Sequence, residues 1–351
     1  MKWIKNNEYL LGVSNEFEFK TKLALFDLDN TLIVTKSGKK FAINEDDWIF
    51  RFKNVKTKLS ELKDYCIVIV SNQAGIDSGK EKPDRWIRKL DNIQKKLNLD
   101  LYVFCSTGHN IYRKPFPTFF LEIIPDHDQI DFENSFFCGD SAGRKNDYRD
   151  TDYKFALNCG LKFLTPELFF EGKQSRIPKI EYPNVKDIKN TKLKFAPQEK
   201  EIIIMVGFPA SGKSYVSKLI HDTYKYEIIN QDILKTKAKC IKFAINLIGD
   251  NKSLIIDATN PSSDTRKTWI DLAKKHNYTV RVINMTTSLE LSKHNNSYRY
   301  LKNKQNYIPE IAYNIFKSKF EVPNLNEGIK EIIKMNQLGK PKDEFYHMFL
   351  Y

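Results

Sequence analysis

Four short stretches of this sequence carry groups suited to phosphate chemistry. The run Leu25-Phe26-Asp27-Leu28-Asp29-Asn30-Thr31 puts two carboxylates two positions apart, just past an apolar stretch. On an extended chain such positions face the same side, and the crowded carboxylates repel unless a cation or a shared proton relieves them. Mg²⁺ suits the pair, because it takes carboxylate oxygens and keeps waters for a phosphate group; taken alone, though, the pair fits a helix cap or a turn better. Further on, Val68-Ile69-Val70-Ser71-Asn72-Gln73 ends in a hydroxyl and an amide suited to phosphate oxygens. Lys114, in Tyr112-Arg113-Lys114-Pro115, offers a cation to a transferring phosphoryl group. Phe136-Phe137-Cys138-Gly139-Asp140 ends in a carboxylate, a second ligand for the same metal.

A second kind of site follows. Gly207-Phe208-Pro209-Ala210-Ser211-Gly212-Lys213-Ser214 fits G-x-x-x-x-G-K-[ST], between an apolar run at 202–206 and a helical pattern. In that context backbone N–H groups from Gly207, Ser211 and Gly212 converge on phosphate, Lys213 reaches the β/γ oxygens and Ser214 ligates Mg²⁺. The expected ligand is a nucleoside triphosphate, ATP. Asp232, closing Ile228-Ile229-Asn230-Gln231-Asp232, stands where a base would orient or deprotonate an attacking hydroxyl, and it also suits a helix cap. Asp257-Ala258-Thr259-Asn260-Pro261 is a further polar strand end. Arg299 lies on a helical pattern, either reaching over the phosphates as a lid or solvated on the helix face. The six histidines show no ligand spacing, and His294 is expected to be structural.

These groups must be held by the ends of short buried strands. Apolar runs at 23–26, 65–70, 102–104 and 135–138 read as strands, with a helical pattern over 84–93 between the second and third. A second alternation places strands at 202–206, 227–229, 254–256 and 279–283, with helices starting near 213, 233 and 263. The fold class is therefore α/β: two domains, each a mainly parallel sheet covered by helices. Between them, 172–198 holds three prolines, seven basic and two acidic residues, and reads as a linker or an electropositive strap. The expected division is 1–171, the linker 172–198, and 199–351.

Composition narrows the setting. With 41% hydrophobic and 29% charged residues among 351, the chain can build sizeable cores. The formal net charge of +13 points to a polyanionic partner, nucleic acid or an anionic membrane face. No apolar run approaches the roughly 20 residues of a membrane span, and the N-terminus lacks a signal-peptide pattern. Five scattered cysteines without a CxxC pair argue against disulfides and zinc. A soluble intracellular protein is expected.

The first four stretches resemble, in order, the motifs of the haloacid-dehalogenase phosphatase superfamily. That resemblance implies Asp27 as nucleophile, Asp29 as general acid and then base, Ser71 and Lys114 as holders of the phosphoryl group, and Asp27, Asp140 and the Asp29 carbonyl around Mg²⁺. Followed by a P-loop, the whole resembles the bifunctional polynucleotide kinase/3′-phosphatases of DNA end repair. Agreement extends to Gly139-Asp140-Ser141-Ala142-Gly143-Arg144, Phe155-Ala156-Leu157-Asn158-Cys159-Gly160 and His294-Asn295-Asn296. It implies removal of 3′-phosphate and ATP-dependent phosphorylation of 5′-hydroxyl at DNA strand breaks (nicks, gaps and double-strand ends); a monomer is expected. The nucleus is the implied compartment in a eukaryotic cell, and otherwise the cytoplasm. The forkhead-associated domain of the animal enzymes, which docks phosphorylated scaffolds, is not expected here. Ser78, Lys239 and Ser297 stand where the resemblance would put arginine. Asp147 and Asp152 match the family's spacing; their role stays open, a surface cluster with Arg144, Lys145 and Arg149 being the simpler reading. Competing readings are the same activities on RNA ends, a non-catalytic end-binding scaffold, and a metabolite phosphatase fused to a nucleotide kinase.

Overall fold

A computed structural model describes residues 1–147, 149–180, 182–189, 192–303 and 305–351. The chain divides into two compact units, Met1–Glu181 with Met348–Tyr351, and Tyr182–His347. No helix among the described residues is long and apolar enough to cross a membrane.

The first unit is built on nine strands: β1 (Lys2–Lys5), β2 (Tyr9–Val13), β3 (Lys22–Phe26), β4 (Ile33–Val34), β5 (Ile49–Phe50), β6 (Tyr65–Asn72), β7 (Tyr102–Ser106), β8 (Phe136–Cys138) and β9 (Lys162–Leu164). Seven form one sheet in the order β1-β2-β7-β6-β3-β8-β9, and β4 pairs only with β5. From β7 to β9 all neighbours are parallel. The continuous apolar reading of β3 has a direct cause, for it is buried on both faces. Ala24 and Phe26 pack with Ile67, Ile69 and the helix Pro83–Leu97 through Trp86, Leu90 and Ile93. Leu23 and Leu25 pack on the other face with Val68, Phe104, Phe119, Phe120 and Phe155. The hairpin β1–β2, which the alternation from residue 23 onward does not announce, adds an antiparallel edge to β7.

The second unit holds β10 (Glu201–Val206), β11 (Glu227–Ile229), β12 (Leu254–Ile256), β13 (Thr279–Met285) and β14 (Glu331–Met335), ordered β11-β12-β10-β13-β14. Every pairing is parallel. β10 is central and wholly buried, with Ile202, Ile204 and Val206 against Trp269 and Ile270, and Ile203 and Met205 against Val216 and Ile220.

The basic segment is not a free-running connection. Val185 is buried with Leu291 and Tyr346, and Leu193 and Phe195 pack on the sheet of the second unit. Apolar residues set among the lysines give it these grips, so the second unit starts at Tyr182 rather than 199. It also ends before 351. Asn158 donates to Phe349 O at 2.9 Å and accepts from Phe349 N at 2.8 Å, and Leu350 is buried in the first unit.

Candidate active sites

The first site lies at the C-terminal ends of β3, β6 and β8. Phe26 pairs with Cys138 across β3 and β8, and Asp27 N donates to Cys138 O at 2.9 Å, which brings Asp27 level with Gly139 and Asp140. Lys114 arrives on a loop clamped by Asn72, whose side chain accepts from Lys114 N at 2.9 Å and donates to Lys114 O at 3.0 Å. The buried Lys114 ammonium donates to Asp27 Oδ1 at 2.7 Å and Val70 O at 2.7 Å, and pairs with Asp152 Oδ1 at 2.8 Å. Ser71 is buried beside it, and its hydroxyl accepts from Gln73 Nε2 at 3.0 Å.

Asp152 is the residue that sequence reasoning left out of the site. It is buried in the first turn of the helix Thr151–Asn158 and accepts from Ser141 N at 3.1 Å. A Cβ on residue 139 would stand 2.5 Å from its carboxylate, so the Gly-Asp pair at the end of β8 leaves room for Asp152 to enter. Asp147, by contrast, lies outside the cluster: its side chain, 9% exposed, pairs with Arg144 at 2.8 Å and accepts from Ala142 N at 3.0 Å. Asp27, Asp140 and Asp152 each offer a carboxylate oxygen within 4.8 Å of the others. The Asp29 side chain is not one of these three: half exposed, it accepts at 2.6 Å from Gln73 Nε2, which also donates to Ser71 Oγ.

Three carboxylates crowd an ammonium that pairs with two of them, Asp27 and Asp152, and the electrostatics show the shortage. Burial pushes the Asp27 carboxyl well above the usual carboxylate range; Lys114 opposes this, while Asp152 and Asp140 add to it. Burial, then Asp152, pushes Asp140 up to about 7. Burial alone would lower the Lys114 ammonium, but Asp152 and Asp27 outweigh it and hold it above its ordinary value. An excess of buried carboxylates with oxygen donors only is the donor set that a magnesium-like cation takes, so the residues fit such an ion.

The second site is the loop between β10 and the helix Lys213–Tyr224. Gly207 has no room for a side chain, since a Cβ there would meet Ser211 Oγ and Met285 Cβ at 2.8 Å. Residues beyond the ends of β12 and β13 and one on the helix Leu289–Asn303 hold the loop in place. Asn260 Nδ2 donates to Met205 O at 2.8 Å, Thr287 Oγ1 to Ser211 O at 2.8 Å, and Asn295 Nδ2 to Ala210 O at 3.0 Å. Gly212, with φ 99°, supplies the left-handed turn into the helix. The Lys213 ammonium curls back to Gly207 O at 2.9 Å and Phe208 O at 2.5 Å. Burial pushes it down to about 8, with Asp257 opposing and Arg299 reinforcing. The buried Ser211 hydroxyl has no hydrogen-bond partner among the described residues. An orphaned donor and a desolvated ammonium at a helix N-terminus fit a polyphosphate.

Ser214 lies exposed in the first turn of that helix. Asp232 is exposed at the start of the short helix Gln231–Leu234, where Asn230, not Asp232, caps by accepting from Asp232 N at 2.8 Å. Arg299 is half-buried on the helix Leu289–Asn303, within electrostatic reach of both Lys213 and Asp232, and its Nε has no partner among the described residues. It is not a solvated face. Asp257, buried and accepting from Asn230 Nδ2 at 3.0 Å, joins the group although the sequence marked its stretch only as a strand end.

Comparison with known proteins bears on both units. Residues 22–170 match the family model described as polynucleotide kinase 3 phosphatase, and residues 238–323 match an AAA domain. A bifunctional polynucleotide phosphatase/kinase from Schizosaccharomyces pombe is 38% identical over 341 residues, covering 95% of this chain and 84% of the relative. A protein of Acanthamoeba polyphaga mimivirus that bears the same name provisionally is 37% identical, covering 95% of this chain and 89% of its own length. A polynucleotide 3′-phosphatase of Arabidopsis thaliana is 34% identical over 169 residues, covering 42% of this chain and 24% of its own.

Proposed function

Since the chain belongs to the bifunctional polynucleotide phosphatase/kinase family, and so is a polynucleotide kinase and 3′-phosphatase built from a haloacid-dehalogenase-like and a P-loop domain, we propose that it heals the ends of broken DNA strands with the residues gathered above. The observation that carries this is the presence in one chain of the Asp27–Lys114–Asp152 cluster and the pinned loop around Lys213. The charge of +13 supports a strand as substrate, because lysine and arginine contacts to phosphates give affinity without sequence preference. Resemblance to the enzymes of DNA end repair favours DNA over RNA.

In the first unit the Asp27 carboxylate attacks the phosphorus of a 3′-phosphate. As the bond to the 3′-oxygen breaks, Asp29 gives that oxygen its proton. A water then loses a proton to Asp29 and attacks the aspartyl-phosphate, which frees inorganic phosphate and restores Asp27. Ser71 and Lys114 hold the phosphoryl oxygens. Mg²⁺, when held by Asp27, Asp140 and Asp152, with the Asp29 carbonyl, supplies positive charge beside those oxygens. In the second unit Asp232 takes the proton of the 5′-hydroxyl as it attacks the γ-phosphorus of ATP, and ADP leaves. Gly207, Ser211, Gly212 and Lys213 cradle the phosphates, Ser214 is the ligand offered to their Mg²⁺, and Arg299 covers them.

The test is end-labelled nicked DNA bearing 3′-phosphate and 5′-hydroxyl, with a matched RNA, incubated with ATP and Mg²⁺. Asp27→Asn should cut 3′-phosphate release by at least about a thousandfold and spare the kinase; Lys213→Ala should do the reverse. Full release by Asp27→Asn would remove the nucleophile assignment. Faster turnover of the RNA ends would replace DNA as the substrate.

A further inference from the structure

One more cation reaches the phosphatase site, and the chemistry above gives it no task. Lys89 stands on the buried face of the helix Pro83–Leu97, beside Trp86, Leu90 and Ile93, and its side chain is only 8% exposed. An ammonium enclosed to that extent is ordinarily paired, because desolvating it without a partner is costly. Among the described residues its one ion pair within 4.0 Å is with Asp29 Oδ1, at 4.0 Å and so beyond hydrogen-bonding distance, although Glu81 also feels its charge. Asp29 does not need Lys89 to hold it, since Gln73 Nε2 donates to Asp29 Oδ2 at 2.6 Å and rests in turn on Ser71 Oγ at 3.0 Å. Nearby Glu81 is engaged by Arg85 at 2.6 and 2.8 Å. Three N–H donors therefore remain beside Asp29, whose carboxylate is 52% exposed at the site's mouth.

We infer that Lys89 is a specificity-determining residue of the phosphatase, its ammonium binding a phosphodiester oxygen of the strand that carries the 3′-phosphate. The inference rests on the phosphatase reading given above. The oxygen that Asp29 protonates belongs to the terminal nucleotide, and the same nucleotide carries the first phosphodiester on its 5′ side. That second anion therefore lies on the leaving-group side by covalent connection, the side on which Lys89 stands. Small phosphate esters have no such group. A cation spaced away from the acid, and not bonded to it, can bind this anion without drawing Asp29 out of place.

The experiment compares two esters with the full-length chain and Mg²⁺: thymidine 3′-monophosphate, and the dinucleotide that bears one phosphodiester and a terminal 3′-phosphate. Wild type should prefer the dinucleotide by about tenfold or more in kcat/KM, mostly through KM. Lys89→Met should shrink that preference to near unity, and Lys89→Arg should keep most of it. On longer strands the slope of log KM against log salt should fall by about one phosphate in Lys89→Met. Equal treatment of the two esters by wild type overturns the inference without any variant. So does an equal loss on both esters in Lys89→Met, which would make Lys89 a support of the fold or of Asp29. Release from neither ester by wild type, with the 5′-kinase intact, would instead sink the phosphatase reading beneath it.

Discussion

Lys114 divides its charge between two carboxylates, at 2.7 Å from Asp27 and 2.8 Å from Asp152. Asp152 therefore acts on the proposed nucleophile twice in the same direction: it draws off part of the ammonium's attraction, and it adds a negative charge that a cation must balance. Both make the ionised form of Asp27 depend on the bound ion, which couples nucleophile strength to metal occupancy. Asp152→Ala should lower 3′-phosphate release about 10–100-fold and raise the Mg²⁺ needed for half-maximal rate, with the 5′-kinase unchanged. Asp152→Asn keeps the volume and the bond to Ser141 N, so a comparable loss there assigns the effect to charge. Activity retained by both variants would reduce Asp152 to a partner of Lys114.

At the next scale, one helix serves three purposes. Leu289–Asn303 presents Asn295 to the phosphate loop, Arg299 toward Lys213, and His294 to its buried side. His294 shares a 2.8 Å hydrogen bond with the Tyr182 hydroxyl and meets the Tyr346 ring edge-on at 4.5 Å. Burial pushes it down from an ordinary 6.5 to about 4. The folded protein thus keeps His294 neutral where the unfolded chain would protonate it. Stability from this residue is unaffected above about pH 6.5 and declines as pH falls toward 4, by about 3 kcal/mol in all. Against His294→Gln, wild type should therefore lose ground progressively across that window, measured by denaturant unfolding of the full chain. A constant difference between the two from pH 7 to 4 would mean the imidazole is solvated or charged when folded. What the sequence reveals also follows from the element scale. Asp27, Ser71, Asp140 and the loop 207–214 each sit in one unbroken strand-to-turn segment, so their neighbours announce them. Asp152 and Lys89 enter from helices remote in sequence, among other acidic or basic residues of the same helix or loop. Only the packing of Thr151–Asn158 against the end of β8, and of Pro83–Leu97 under β3, separates them from a solvated face.

Across the whole molecule, sequence order and compact units part company at the end of the chain. Alternation of strands and helices was enough to give two α/β halves, because each half repeats a local pattern. The tail has no such pattern, and four residues cannot advertise a distant partner. Yet Met348–Tyr351 belongs to the first unit, where Asn158 brackets Phe349 and also donates to Pro115 O at 2.8 Å, next to Lys114. Lys154 Nζ donates to Tyr351 O at 2.6 Å, from the same helix that carries Asp152. Leu350 is 2% exposed, and truncating such a side chain typically costs about 2–5 kcal/mol. Leu350→Ala should therefore destabilise the phosphatase and leave the kinase, although the change lies far along the chain from every phosphatase motif. Heated briefly before assay, the variant should lose 3′-phosphate release several degrees below wild type while 5′-phosphorylation survives to the wild-type temperature. Equal loss of both activities would mean that the tail stabilises the second unit, and loss of the kinase alone would return residues 348–351 to the half that sequence order suggests.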